Sequence, residues 1–442
     1  MTMLRWPRLQ LPVEHVPPRL DGSLRRSAKG RGNGGFCHTR RVAANTTSLY
    51  FGAVKTSCAT SLLGLTLTAL LAASPLAAQT TPEPALEAVA TLQRGVMNGD
   101  VAAIASAVAA KVPIDAPGDS RMTALGIAAL YGRADALRAL VAAGANVAAD
   151  QDGESALAVA AHEGHTAAMD ALIAAGADVN TKDKDGISPL MAAASSNRAG
   201  AIRTLLAKGA EVNATNNDGA SALIAAAYGG HVQAAEALLG GGAKTDVRDR
   251  SGRTALMASA LGGNAAVTSL LLERKADPLA EDNNQMNALV YAASTGQDEV
   301  VAVLRKAGVT KGADLALAFA VRGCRVPLAT SLLAGGASLN SDLNGEHLLL
   351  VATGANCRQG VELLLAKGAD INRASDDGTT ALMRAAGEGY ADLVELLLAK
   401  GADMELQNKD NQSAWLFAAM ANHPDVVELL RANREARQKK TP

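Results

Sequence analysis

Aromatic side chains are almost missing from this sequence: two Trp, five Tyr and four Phe in 442 residues, in a chain that is nonetheless 48% hydrophobic. Its interior must be built mainly from Ala and Leu, which lets thin helices stack closely and leaves little room for a buried cofactor pocket. No cofactor is expected. Nucleophile elbows, glycine-rich phosphate loops and paired metal ligands are also missing. Catalysis has no candidate residues, and the chain reads as a non-enzyme. Long apolar runs are missing too, since the run from Leu62 to Ala73 is too short to cross a bilayer.

That short run is itself informative. Lys55 precedes it and Ser74-Pro75-Leu76-Ala77-Ala78 follows it, the pattern of a secretory signal peptide over 54–78, cleaved near Ala78. No cysteine suited to lipidation stands at the cleavage point. After cleavage no stable membrane span is expected, and the protein is expected in the periplasm or outside the cell. Residues 1–53, rich in Arg, Pro and Gly, read as an extension ahead of a start at Val54; their basic charge leaves a targeting arm or a nucleic-acid tail as rival readings. Beyond 78 the sequence divides into a linker at 79–85, a repeat domain over 86–434 and a polar tail at 435–442.

The net charge of −1 hides opposed parts, because residues 79–442 carry 32 Lys and Arg against 41 Asp and Glu. An acidic body is a poor ligand for phosphate backbones, so no nucleic-acid partner is expected.

What the sequence does have is repetition. Gly-Ala-Asp-Val-Asn at 176–180 returns as Gly-Ala-Glu-Val-Asn at 209–213 and Gly-Ala-Asp-Ile-Asn at 368–372. The glycine slot is filled by Gly144, Gly176, Gly209, Gly242, Lys275, Gly308, Gly336, Gly368 and Gly401, with steps of 32, 33, 33, 33, 33, 28, 32 and 33. A second phrase keeps register, as in Thr123-Ala-Leu125, Ser155-Ala-Leu157, Ser221-Ala-Leu223 and Thr380-Ala-Leu382. A hydroxyl just ahead of an Ala-rich run is a helix N-cap. Asp-Gly turns at 152–153, 185–186, 218–219 and 377–378 precede these helices, and Gly-His pairs at 164–165 and 230–231 break them before a second helix. The slot glycine then ends that second helix as a left-handed cap.

Turn, helix, loop, helix at this period resembles the ankyrin repeat family. The family's Thr-Pro-Leu-His histidine is replaced here by residues such as Gly126, Ala158, Met191 and Met383, and its proline survives only at Pro189. The resemblance implies an all-α solenoid of about ten helix-turn-helix units with short β-hairpin fingers, acting as a monomer that binds one or more proteins. It also implies that partners touch the fingers and the exposed positions of the first helices. Those positions are Tyr131, Gln151, Glu154, His162, Lys184, Ile187, Tyr228, Arg250, Arg253, Leu261 and Met286. Tyr and Arg anchor interfaces most often, so Tyr131, Tyr228, Arg250 and Arg253 are the first choices.

Cysteine is scarce as well, and removal of a leader would take Cys37 and Cys58 and leave Cys324 and Cys357, 33 residues apart. Corresponding points on neighbouring repeats lie about 10 Å apart, beyond the roughly 4.4–6.8 Å that a disulfide spans between α-carbons. The two cysteines fall 12 and 11 residues before their slot glycines, however, so one is offset. A bridge and two free thiols both stay open. Nearby, the single short step predicts a lost finger and a seam at 309–314. His162-Glu163-Gly164-His165 places its histidines three apart, where a helical zinc motif needs four and no glycine between; His165 and His231 are expected to bond neighbouring backbone. The function expected is a protein-binding scaffold that supports a partner enzyme. A secreted effector that engages host proteins and an enzyme with its site between repeats are the alternatives.

Overall fold

The structure, a computed structural model, describes residues 83–118, 122–148, 150–151 and 154–438. The expected signal peptide at 54–78, the expected extension before it and residues 79–82 of the expected linker lie outside the described residues. Twenty-two helices form eleven consecutive pairs among the described residues. The first are α1 (Glu83–Asn98) with α2 (Val101–Ala109), α3 (Ala124–Leu130) with α4 (Ala134–Ala142), α5 (Ala156–Glu163) with α6 (Thr166–Ala174), and α7 (Pro189–Ser195) with α8 (Ala199–Ala207). Then come α9 (Ala222–Tyr228) with α10 (Val232–Gly240), α11 (Ala255–Leu261) with α12 (Ala265–Glu273), and α13 (Ala288–Thr295) with α14 (Asp298–Lys306). The last are α15 (Ala313–Arg322) with α16 (Val326–Ala334), α17 (Leu348–Gly354) with α18 (Arg358–Ala366), α19 (Ala381–Gly387) with α20 (Ala391–Ala399), and α21 (Ala414–Met420) with α22 (Pro424–Gln438). Helix thus begins inside the expected linker and continues past 434 into the expected tail.

Each first helix packs on the next first helix, and most second helices pack on the next second helix. The layer between them is Ala and Leu, with Leu125, Leu157, Leu190, Leu223 and Leu256 nearly or fully buried beside Ala128, Ala160 and Ala193. Caps follow the sequence: Thr123 Oγ1 accepts the Gly126 amide at 3.1 Å and Ser155 Oγ the Ala158 amide at 3.2 Å. Ser413, in the capping slot of α21, makes no such bond. The slot glycines are left-handed, from φ +82° at Gly308 to +95° at Gly401, and Lys275 takes the same conformation at +62°.

Hairpin fingers join the repeats. Two carry paired strands, β1 (Asp150–Gln151) with β2 (Glu154–Ser155) and β3 (Asp342–Leu343) with β4 (Glu346–His347), both antiparallel. Successive fingers are tied backbone to backbone: the Asn217 amide donates to Asp185 O at 3.0 Å and the Arg250 amide to Asp218 O at 2.8 Å. At their bases an Asx side chain accepts an amide of the next repeat, Asn180 from Glu211 at 2.9 Å, Asn213 from Lys244 at 2.8 Å and Asn372 from Asp403 at 2.9 Å. At the opposite end, the residue before many of the second helices reaches back to the preceding repeat. His165 Nε2 lies 3.0 Å from Leu130 O, His231 Nε2 2.9 Å from Ser195 O, and Arg198 Nε donates to His162 O at 3.0 Å. These bonds satisfy carbonyls that a helix end leaves free.

The short step falls in the loop before α15. Only four residues, 309–312, separate Gly308 from α15, against twelve between Gly242 and α11. Five residues are missing from the period because the loop loses eight while α15 starts three residues early. Gly312 (φ +82°) turns the chain into the helix without a side-chain cap.

Candidate partner-binding surface

The first helix of each repeat starts at a finger and ends at the inter-helix loop, so the expected contact residues fall on two ridges. Tyr131, His162, Tyr228 and Leu261 stand at the ends of α3, α5, α9 and α11; Tyr131 is exposed and the other three are half-buried. Lys184 and Arg250 stand on fingers, both exposed, with the Arg250 guanidinium 3.9 Å from Asp218. Gln151 pairs with Glu154 across β1 and β2, and Glu154 is half-buried. Ile187 and Met286 are half-buried at finger bases, where their amides donate to Asp183 at 2.7 Å and Asp282 at 2.8 Å. Between the ridges the helix position four residues after the cap is small or closed off, as at Ala192, Ala225 and Ala258.

Arg253 does not belong on this surface. It is 7% exposed, and its Nε donates to Asp249 Oδ2 at 2.8 Å in a buried ion pair. The cause is local: the Asp249 carboxylate already accepts the Ser251 and Arg253 amides, and its second oxygen draws the guanidinium inward over the turn. One repeat further on, Asp282 does the same work with Tyr291, whose hydroxyl donates to Asp282 Oδ2 at 2.7 Å and which is fully buried. Burial, and then that hydrogen bond, raise the Tyr291 hydroxyl well above the usual phenol range. Sequence reasoning missed Tyr291, although it is the only aromatic residue four places after a cap ahead of the seam.

Two further pairs line the surface after the seam. Arg384 binds Glu346 at 2.5 Å and Arg373 binds Asp342 at 3.2 Å, so the finger of one repeat is held by the next. On the loop side, an open depression of about 590 Å³ is bordered by Glu163, Asn197, Arg198, Arg203 and Glu236. Its charges are of both signs, and Glu163 already engages His162 at 2.9 Å. Among the described residues there is no cluster of three or more His, Cys, Asp or Glu able to hold a metal, and no helix is long and apolar enough to cross a membrane.

Cys324 and Cys357 are joined, with α-carbons 5.4 Å apart. The offset in register makes this reach, since Cys324 ends the turn after α15 whereas Cys357 is the residue that directly precedes α18.

A family model described as ankyrin repeats (3 copies) matches residues 92–183, 160–249, 223–314 and 373–441. The chain is an ankyrin-repeat protein. Ankyrin repeats are protein-binding scaffolds and typically non-enzymatic, which agrees with contact residues that vary along a constant frame. No curated protein matches the chain. The stretch that the ankyrin model leaves out, 315–372, nevertheless carries two helix pairs of the same array, α15–α16 and α17–α18.

Proposed function

We propose that this ankyrin array is an exported scaffold that works as a monomer in the periplasm or outside the cell, holding one or more proteins on its two ridges and supporting a partner enzyme. The observation that carries the binding role is the contrast between the ridges and the frame. Buried slots repeat nearly unchanged, while the ridge positions run through Tyr131, His162, Tyr228 and Leu261 on one side and Lys184 and Arg250 on the other. A rigid frame with variable, partly exposed Tyr and Arg costs little conformational entropy on binding. Support for export comes from the short apolar run before Ala78 and from a disulfide, which persists in oxidising compartments.

The test is capture of partners from periplasmic extract on the immobilised mature protein, beside a variant with Tyr131, Lys184, Tyr228 and Arg250 all changed to Ala. The variant is expected to lose the captured protein while keeping its helical signal; equal capture by both would remove the ridges from the account. A native N-terminus near Gln79 is the outcome expected for export, and initiation retained at Met1 would oppose it.

A further inference from the structure

At the turn between the two helices of each repeat stands a left-handed residue, and it is Gly or Asn in every repeat but one: Gly132, Gly164 and Gly230 are examples, with Asn197 at φ +56°. In the α15–α16 repeat it is Cys324, at φ +54°. An L side chain other than Asn is disfavoured there, so a thiol at this point needs a reason. The reason lies in the next repeat. The residue before each second helix covers the left-handed residue of the repeat before it: a Cβ placed on Gly132 would stand 2.7 Å from the His165 ring, on Gly164 2.9 Å from Arg198, and on Gly296 2.3 Å from Arg325. Asn197 keeps its side chain under a large cover, His231, because its Oδ1 accepts the Ala234 amide at 3.2 Å; the Cys324 side chain instead meets a small cover, Cys357. The two cysteines therefore replace a contact made at the other junctions by a covalent bond, at the repeat that follows the seam.

The two sulfurs differ in access. Cys324 is exposed, whereas Cys357 is 1% exposed. Cys357 Sγ accepts the Gly360 amide at 3.2 Å in the first turn of α18, a nine-residue helix. Backbone amides at a helix start stabilise a thiolate, which makes Cys357 the better leaving group. We propose that Cys324–Cys357 is a thiol-exchange site, attacked at Cys324 by an external dithiol reductant, and that its opening loosens the α17–α18 repeat against the repeat before it. The incoming thiolate forms a bond to the Cys324 sulfur, the bridge breaks, and its electron pair leaves on Cys357. The second thiol of the reductant then attacks the mixed disulfide, so that the dithiol is oxidised to a disulfide, Cys324 departs as a thiolate, and the two protons of the dithiol pass to the two cysteines. This junction lacks the tie that Arg325 makes at the junction before it. Once the bridge is open, the polar hold on the next repeat comes from contacts such as the Ser338 amide on Asp314 at 2.7 Å.

The test uses the oxidised full chain. With glutathione as the attacking thiol, mass spectrometry is expected to find the adduct on Cys324 and a free, alkylatable Cys357; an adduct chiefly on Cys357, or a bridge that opens only after the protein is unfolded, overturns the exchange site. After dithiothreitol, amide hydrogen exchange in α17 and α18 is expected to rise at least tenfold while α5 to α12 stay unchanged. Unaltered exchange in α17 and α18 overturns the loosening. Cys324→Gly places in the turn the residue that most other repeats hold, and is expected to show the same rise without reductant; exchange as slow as in the oxidised parent would also overturn it. Hydrogen exchange in the reduced parent decides the same point should that variant not fold.

Discussion

Tyr291 shows how one side chain can leave the recognition surface and join the frame. It occupies a first-helix slot that holds Ala in the three repeats before it, yet it is closed over and donates to Asp282, which also accepts the Asn284 and Met286 amides. Tyr291→Phe keeps the ring and leaves a buried carboxylate short of a donor, so a loss of about 1–3 kcal/mol in unfolding free energy is expected by urea titration. His347 makes the same point with a titrating group. It replaces the capping Thr, and its Nδ1 accepts the Leu350 amide at 3.3 Å, which requires the proton on Nε2. Burial first, then the Arg373 charge, hold its pKa below the ordinary value, against the smaller upward pull of the Arg373 backbone and of Asp342 and Glu346. A lowered folded pKa means stability that is complete above about pH 6.5 and is lost as pH falls from there through the folded value, while the unfolded chain takes up its proton. His347→Thr keeps a cap without a titration, so its urea midpoint is expected to change less than the parent's between pH 7.5 and pH 5.5. The sequence revealed Arg253 as a basic residue at an expected contact position. Burial of Arg253 was not legible, because it depends on which way a single carboxylate on the same turn is aimed.

At the scale of elements, α15 explains how an array survives the loss of a finger. The period alone exposed a deficit of five residues. It could not show that the loop gives up more than this while the helix grows by most of a turn, since Gly-Ala-Asp-Leu at 312–315 has no cap signal of the kind that marks the other first helices. The added turn carries Asp314, whose carboxylate accepts the Ser338 amide at 2.7 Å, the role that Asn180, Asn213 and Asn372 play from intact fingers. Helix has thus taken over a bond that loop makes elsewhere. Asp314→Ala is expected to destabilise the junction by roughly 1 kcal/mol and Asp314→Asn by much less, because the amide oxygen still accepts. Equal losses in the two variants, measured by denaturant midpoints, would mean that the charge and not the hydrogen bond matters there.

For the whole molecule, repeats touch only their neighbours, so a weak junction divides an array as surely as a linker divides domains. The ankyrin family model stops at 314 and resumes at 373, across the stretch that holds the seam's extended helix and both bridged cysteines. Sequence signals fade there because caps, turn glycines and ladder residues have been exchanged for other means of holding the stack, among them the covalent one. Closing a loop of 33 residues removes chain entropy from the unfolded state worth roughly 3–4 kcal/mol. In a linear array that stabilisation is local, so reduction should separate the two sides of the junction and not lower one common transition. Trp415 lies in α21, beyond the bridge, and with Trp6 changed to Phe its fluorescence reports the later block alone, while circular dichroism reports every helix. In the oxidised protein the two signals should lose structure together as urea rises. In reductant the fluorescence transition should move to lower urea and precede the dichroism, because the later block no longer draws on the longer run of repeats before the seam. Coincident curves in reductant would mean that apolar packing between α15 and α17 carries the junction unaided, and that the bridge serves some purpose other than cohesion.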